Sequence, residues 1–322
     1  MDPQPTPPER ARGSDAAAHT GAAEEPRLVR VRLDLAYDGT DFRGWATQPG
    51  LKTVQGTLED GLETILRRPV RTVVAGRTDA GVHAAHQVVH LDLTETEWEG
   101  LVRGRAGLEP GESLVRRLHG VLRRASDALV VRGAVRAPEG FDARFSALWR
   151  SYRYRISDRP ETRDPLRRRD TWWHGGPLDV ARMQAEASAV VGLHDFLSYC
   201  KPRPEGTTIR QLQSFTVERA PDGVLECRLR ADAFCHHMVR ALVAAAAAVG
   251  EGRQEPGWMA QRLQAQVRDS LSRLAPPHAL VLEHVEYPDD GSLASRAEGT
   301  RARRAASEAA LLPMPGADGR FR

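Results

Sequence analysis

Residues 72–93 read TVVAGRTDAGVHAAHQVVHLDL. TVVA and QVVHLDL are short β-branched runs with strand character, and GRTDAGVH between them, bracketed by Gly76 and Gly81, reads as a tight loop. Glycine at both ends suits a backbone that turns sharply or passes close to another segment. A turn alone has no need of Arg77, Asp79 and His83. Asp79 has an ordinary explanation as the cap of an Asx turn. It also has a chemical one, as a carboxylate kept ionised by the arginine two residues before it.

The pattern around this hairpin is α+β. VRLDLAY (31–37) alternates as a strand, and residues 54–67 place Val54, Leu58, Leu62, Ile65 and Leu66 on one helical stripe. The charged stretch 94–117 reads as an excursion. The rhythm then recurs. SYRYRIS (151–157) is a strand, and residues 179–192 form a helix opened by Asp179 and stopped at Gly192. Residues 213–220 and 224–234 make a hairpin around PDG, 236–250 an alanine-rich helix, and 279–287 a closing strand. Two related halves are expected, 29–145 and 146–288. The flanking segments 1–28 and 289–322, rich in Pro, Ala, Glu and Gly without periodicity, are expected to be disordered tails.

A chain of 322 residues with 41% hydrophobic content is long enough for one large or two ordinary cores. No run of eighteen apolar residues occurs and the N-terminus lacks a signal-peptide core, so a soluble cytoplasmic protein is expected. Cys200, Cys227 and Cys235 form no CxxC pair and read as reduced thiols. Of 46 basic residues only Lys52 and Lys201 are lysines, and neither follows glycine, which removes a P-loop. Arginine forks suit phosphates, but genome base composition is the better explanation for the bulk of them, and charge alone decides nothing. The GxGxxG, GxSxG and HExxH signatures are also missing, so an enzyme here works with side chains alone.

Two further features bear on Asp79. Arg240 lies inside an otherwise apolar helix, where an unpaired guanidinium is costly, and Asp79 is a candidate partner. Tyr152 and Tyr154 sit among arginines in SYRYR, a combination that suits base stacking beside phosphates. A carboxylate held charged is a poor general acid and a plausible nucleophile.

YDGTDFRGW (37–45), VQGTLE (54–59), GRTDAGVHA (76–84), FDARFSA followed by SYRYR, GTTIR (206–210), AFCHHMVR (233–240) and APPHALVL (275–282) stand in one order along the chain. Together they closely resemble the tRNA pseudouridine synthase A family over residues 30–288. The resemblance implies a pseudouridine synthase fold of two ferredoxin-like-derived halves, with mainly antiparallel sheets flanking a basic cleft. It implies a cofactor-free and metal-free isomerase, a homodimer without membrane attachment, converting uridine to pseudouridine at positions 38 to 40 of the tRNA anticodon stem-loop. By this likeness Asp79 is the nucleophile, Arg240 its partner, and Tyr152 the ring that stacks on the uracil and a candidate for removing the C5 proton. Arg77 enters the space left by the flipped base, Phe141, Arg144 and Phe145 contact RNA, and Leu280 walls the pocket. Ala46, His86 and Asp142 depart from the family pattern, at positions where it usually has glutamine, glycine and histidine.

Two rival readings stand beside this one. His83, His86 and His90 have ligand-like spacing and Cys235, His236 and His237 cluster, as in a zinc-dependent hydrolase. On a strand, however, His83 lies apart from the other two, and adjacent His236 and His237 are expected to point in different directions. His83 is expected to brace the loop by hydrogen bonding. The second rival is a non-catalytic RNA-binding module, which has no use for Asp79.

Overall fold

The computed structural model describes residues 27–103, 107–202, 207–269 and 273–301. Most of the expected N-terminal tail, residues 302–322 of the C-terminal one, residues 104–106 of the charged stretch and Gly206 of GTTIR lie outside them. The first half runs β1 (Leu28–Tyr37), α1 (Val54–Leu66), β2 (Val73–Val74), β3 (His83–Thr94), α2 (Glu95–Gly100), α3 (Pro110–Ala125) and β4 (Leu129–Arg136). The second runs β5 (Trp149–Ser157), β6 (Trp172–Trp173), α4 (Val180–Ala189), β7 (Gly192–Asp195), β8 (Ile209–Arg219), β9 (Leu225–Ala231), α5 (Met238–Gly250), α6 (Trp258–Ala265), β10 (Leu280–Glu286) and α7 (Leu293–Arg301).

All strands join one sheet, ordered β4-β1-β3-β10-β5-β9-β8-β7, with β2 on β3 and β6 on β5. Pairing is antiparallel except at β10–β3 and β5–β6. In the first half β4, β1, β3 and β2 are the fourth, first, third and second strands of the half. In the second, once the short strands β6 and β7 are set aside, β10, β5, β9 and β8 repeat that order. The halves meet where β10 pairs with β3 over only two positions, Val281↔His83 and Leu282↔Ala84. Farther along, the same edge of β3 carries β2.

Alternation fixes which face is covered. Val29, Val31, Leu33, Leu35 and Tyr37 of β1 are buried, while Arg30, Arg32 and Asp34 on the opposite face are half-exposed. In β5, Arg150, Tyr152, Tyr154 and Ile156 are buried, with Trp149, Ser151 and Arg153 opposite. Each fully buried Leu or Val side chain contributes roughly 1.5–3 kcal/mol, so a one-residue slip of either strand would invert both faces. Thr53 caps α1 by accepting the Gly56 N–H, and Leu58, Leu62 and Ile65 turn inward. Cys200 and Cys227 are buried and Cys235 half-buried, all free. No helix among the described residues is long and apolar enough to cross a membrane.

Two sequence expectations fail. The supposed excursion 94–117 contains α2, opened by a Thr94–Glu97 capping box, and the first half of α3. Leu114, Leu118 and Leu122 of α3 are fully or almost fully buried. Their four-residue spacing runs beyond residue 117, and the Gly- and Pro-rich entry masks it. Residues 289–301 of the expected C-terminal tail are ordered. Their helix α7 buries Leu293 and Ala297, and Arg296 donates to the Ala147 carbonyl.

Candidate active site

The backbone that presents Asp79 is held by β1 and the turn after it. The Tyr37 hydroxyl and Thr78 Oγ1 lie 2.8 Å apart, Trp45 N–H donates to the Thr78 carbonyl, and Gly81 N–H donates to Phe42. Two glycines of YDGTDFRGW make room for this contact. A Cβ on Gly39 would lie 2.0 Å from the Val82 oxygen, and Gly44 has φ +93° with Thr78 and Ala80 backbone atoms just beyond 3 Å. A side chain at either position would push the loop away. His83 braces the loop as expected: its Nδ1 accepts the Gly39 N–H, and its Nε2 lies 2.7 Å from the Arg169 and His278 carbonyls.

Asp79 faces the N-terminal turn of α5. Arg240 Nη1 donates to Asp79 Oδ2 at 3.2 Å, while Arg240 Nε is anchored on the Ala275 carbonyl at 2.8 Å. His236 Nε2 lies 3.3 Å from Oδ1 and His237 Nε2 3.6 Å from Oδ2. The two rings lie 3.9 Å apart between centroids. They therefore converge on one carboxylate, contrary to the expectation from their adjacency. The reason is that His237 caps α5 in the left-handed conformation, φ 72°, which redirects the chain between the two rings. Burial lowers the His237 pKa to about 4, despite the opposing pull of Asp79; His236, Arg240 and Arg268 add to the lowering. At neutral pH the ring is uncharged.

Arg77 is different from Arg240. It is exposed and lines the cavity, but no hydrogen bond or ion pair joins it to Asp79 among the described residues. The guanidinium that holds the carboxylate comes from 161 residues away, not from the same loop.

A cavity of about 1000 Å³ opens in front of Asp79. Tyr152 and Leu280, 8% and 5% exposed, form part of its wall. The Tyr152 ring stands edge-on to Phe234, with centroids 5.1 Å apart. Burial, then the nearby Tyr37 and Asp79, raise the Tyr152 phenol far above its ordinary pKa, so it stays protonated at neutral pH. Phe145 lies at the cavity between the Arg144 and Arg301 guanidinium groups, 4.9 and 5.0 Å from its centroid. Phe141 is not at the cavity. It is 1% exposed, packed on Tyr287 and His90, because its neighbours in the turn are tied back by Asp142. Asp142 Oδ1 accepts the N–H groups of Arg144 and Phe145, and Oδ2 accepts from Arg301. The aspartate that departs from the family pattern thus fixes the turn and ties α7 to the rim.

Sequence reasoning missed Phe234 and Arg301, and weighed His236 and His237 only as metal ligands, not as neighbours of Asp79. The two histidines stand four and three residues before Arg240, a spacing that brings side chains to one side of a helix start. Arg301 carried no such signal. Asp79, His236 and His237 offer three ligand atoms within 4.8 Å of one another, an arrangement compatible with a metal ion. The Arg240 guanidinium already occupies Asp79 Oδ2, and its fixed charge opposes a second cation there. His83 and His90 are each engaged by backbone N–H groups, of Gly39 and Ala143, and do not join His86 in a ligand set.

Residues 187–288 match the family described as tRNA pseudouridine synthase. The tRNA pseudouridine synthase A of Leifsonia xyli subsp. xyli is 52% identical over 284 residues, covering 86% of this chain and 98% of that protein. The protein of the same name from Streptomyces griseus subsp. griseus is 51% identical over 280 residues, covering 86% and 94%. That from Corynebacterium glutamicum is 47% identical over 283 residues, covering 86% and 95%.

Proposed function

The chain belongs to the tRNA pseudouridine synthase A family, and on that premise we propose that it isomerises uridine to pseudouridine in the tRNA anticodon stem-loop, with Asp79 as nucleophile. The observation that carries this reading is the Asp79–Arg240 pair, 3.2 Å apart, at the wall of a cavity large enough for a nucleoside. The reaction breaks the N1–C1′ bond, turns the uracil and joins C5 to C1′. C5 loses a proton and N1 gains one, so atoms and electrons balance within the substrate. A carboxylate fixed in its charged form by a guanidinium suits attack on the sugar C1′ or the base C6.

A uridine inside a stem has to leave the stack, at a cost of a few kcal/mol. Tyr152 and Phe234 offer it a new aromatic surface, worth roughly 1–3 kcal/mol per base. Because Tyr152 stays a neutral phenol, stacking is its main part, and it takes the C5 proton only if it passes its own onward. Arg77, free of Asp79 and exposed at the rim, is placed to fill the space the base vacates. Leu280 walls the pocket. Arg144 and Phe145 meet the RNA, while Phe141 supports them from the core.

The cavity lining carries nine Arg and Lys side chains against the two carboxylates Asp79 and Asp232, which supports a basic cleft for phosphates. The repeated fourth-first-third-second strand order supports two ferredoxin-like halves, with Asp79 from one and Arg240 from the other. The family reading carries with it a cytoplasmic location and a homodimer, the latter checked by light scattering of the purified protein.

The test is pseudouridine mapping of unmodified tRNA incubated with the purified protein. Conversion of anticodon stem-loop uridines is expected, and an unchanged uridine pattern there would overturn the assignment.

A further inference from the structure

The polar face of the sheet, opposite the helices, carries a second histidine pair that the reaction does not use. His86 on β3 and His284 on β10 stand side by side, each two residues beyond the paired positions Ala84 and Leu282. Their Nδ1 atoms lie 3.2 Å apart. The far nitrogens are both occupied: His86 Nε2 lies 3.0 Å from Asp34 Oδ1, and His284 Nε2 2.7 Å from Glu286 Oε2. The His284 ring rests against Trp149 at 5.3 Å. Side-chain exposures of 22% for His86 and 43% for His284 leave the pair open to solvent.

Hydrogen accounting gives this arrangement its meaning. Ionised carboxylates only accept, so each Nε2 carries the hydrogen it donates to Asp34 or Glu286. A neutral imidazole with its hydrogen on Nε2 has a bare lone pair on Nδ1. Two such lone pairs then face one another at 3.2 Å, and the contact is unfavourable until a proton or a metal ion lies between them. Metal-bound histidines are commonly braced in this way, with a carboxylate on the nitrogen that does not ligate. With metal–nitrogen bonds of about 2.0–2.1 Å, a 3.2 Å nitrogen separation subtends roughly 100° at the metal, near the tetrahedral angle.

We propose that His86 and His284 form a two-histidine site for a late first-row divalent metal ion, with water completing its shell, clipping β3 to β10. The location gives the clip a purpose. Direct pairing between the halves spans two positions at this seam, and a metal bridging their strands would tie them together beyond it. Arg32 is bonded to Asp34. It is directed at the supporting carboxylate, not at the ligand nitrogens. This is the reverse of the Asp79 cluster, where a guanidinium takes the very oxygen a metal would need. The site does not depend on the proposed RNA chemistry.

The test is calorimetric titration of untagged, chelator-stripped full-length protein with Cu²⁺, Ni²⁺ and Zn²⁺ in turn. One equivalent should bind, Cu²⁺ most tightly, and Zn²⁺ should raise the melting temperature. His86→Ala and His284→Ala should each weaken binding more than tenfold. Glu286→Gln, which leaves both ligands in place, should weaken it about 10–100-fold. His236→Ala, at the other cluster, should leave it unchanged. Undiminished binding in both ligand variants, loss of binding in His236→Ala instead, or no binding to the wild-type chain would each overturn the proposal. Should His86→Ala fail to fold, His284→Ala and Glu286→Gln decide the outcome.

Discussion

The two halves share a strand order but bring opposite things to the cavity. The first contributes a carboxylate on a loop stiffened by backbone contacts to Gly39, Gly44 and Trp45. The second contributes the start of α5, with Arg240 and two histidines gathered around that carboxylate. Neither half is a site without the other. The loop fixes where Asp79 stands, and the other half sets its electrostatics. The positive end of the α5 dipole adds to the Arg240 charge there.

The sharpest way to break this comparison is to remove the first half's single contribution. Asp79→Asn keeps the shape of the loop and discards the nucleophile. Turnover, read as tritium release from C5-labelled uridine in tRNA, should fall by roughly 10³-fold or more, with tRNA affinity changed only a few-fold. Residual turnover near the wild-type rate would remove Asp79 from the chemistry. Lost affinity together with lost turnover would make the loop a binding element instead.

The next largest effect separates the arginines. Arg240→Met strips the carboxylate of its partner and should lower the single-turnover rate at saturating tRNA by roughly 10²-fold. Arg77→Met, in the nucleophile's own loop but not bonded to it, should act more on tRNA affinity and base eversion than on the rate of the step that follows. Equal losses in the same kinetic constant would erase the distinction between the halves.

That distinction is also where reading the sequence stopped short. The alternation in VRLDLAY and SYRYR discloses a strand in each half of the sheet, because each strand has one covered and one open face. The glycines around Asp79 disclose a close-packed loop, and Arg240 in an apolar helix advertises the need for an anion. Arg77 misleads because proximity in sequence is not pairing of side chains: two residues apart on a tight loop, Arg77 and Asp79 share no hydrogen bond or ion pair among the described residues. His236 and His237 were misread because a left-handed residue at the helix cap redirects the chain, and no local propensity announces φ 72° at a histidine. Helix α7 stayed hidden for a different reason. It buries only Leu293 and Ala297, too few apolar positions to show a period, and its place is fixed partly by Arg301 reaching Asp142. Phe141 belongs to a motif whose neighbours reach the cavity while its own ring turns inward.

The smallest effect tests whether the halves also differ in acid. In the second half, His237 titrates at about 4 when folded, against an ordinary value near 6.5. The native state then binds fewer protons than the unfolded one, so stability falls as pH drops from about 6.5 through 4. In the first half, Glu97 is held at about 2, chiefly by its bond from Arg68, with burial opposing and the Thr94 backbone assisting. Its share of stability is complete above its ordinary value of 4.5 and is lost as pH falls through about 2. His237→Gln should therefore flatten the decline of melting temperature between pH 6.5 and 4. Glu97→Gln should lower the melting temperature by roughly 2 °C at neutral pH and flatten the decline only below pH 4.5. Turnover at neutral pH should be unchanged in Glu97→Gln, because that charge braces α2 far from the cavity. If Glu97→Gln altered turnover, or both variants acted in one pH window, the separation between a structural charge network and a functional one would fail.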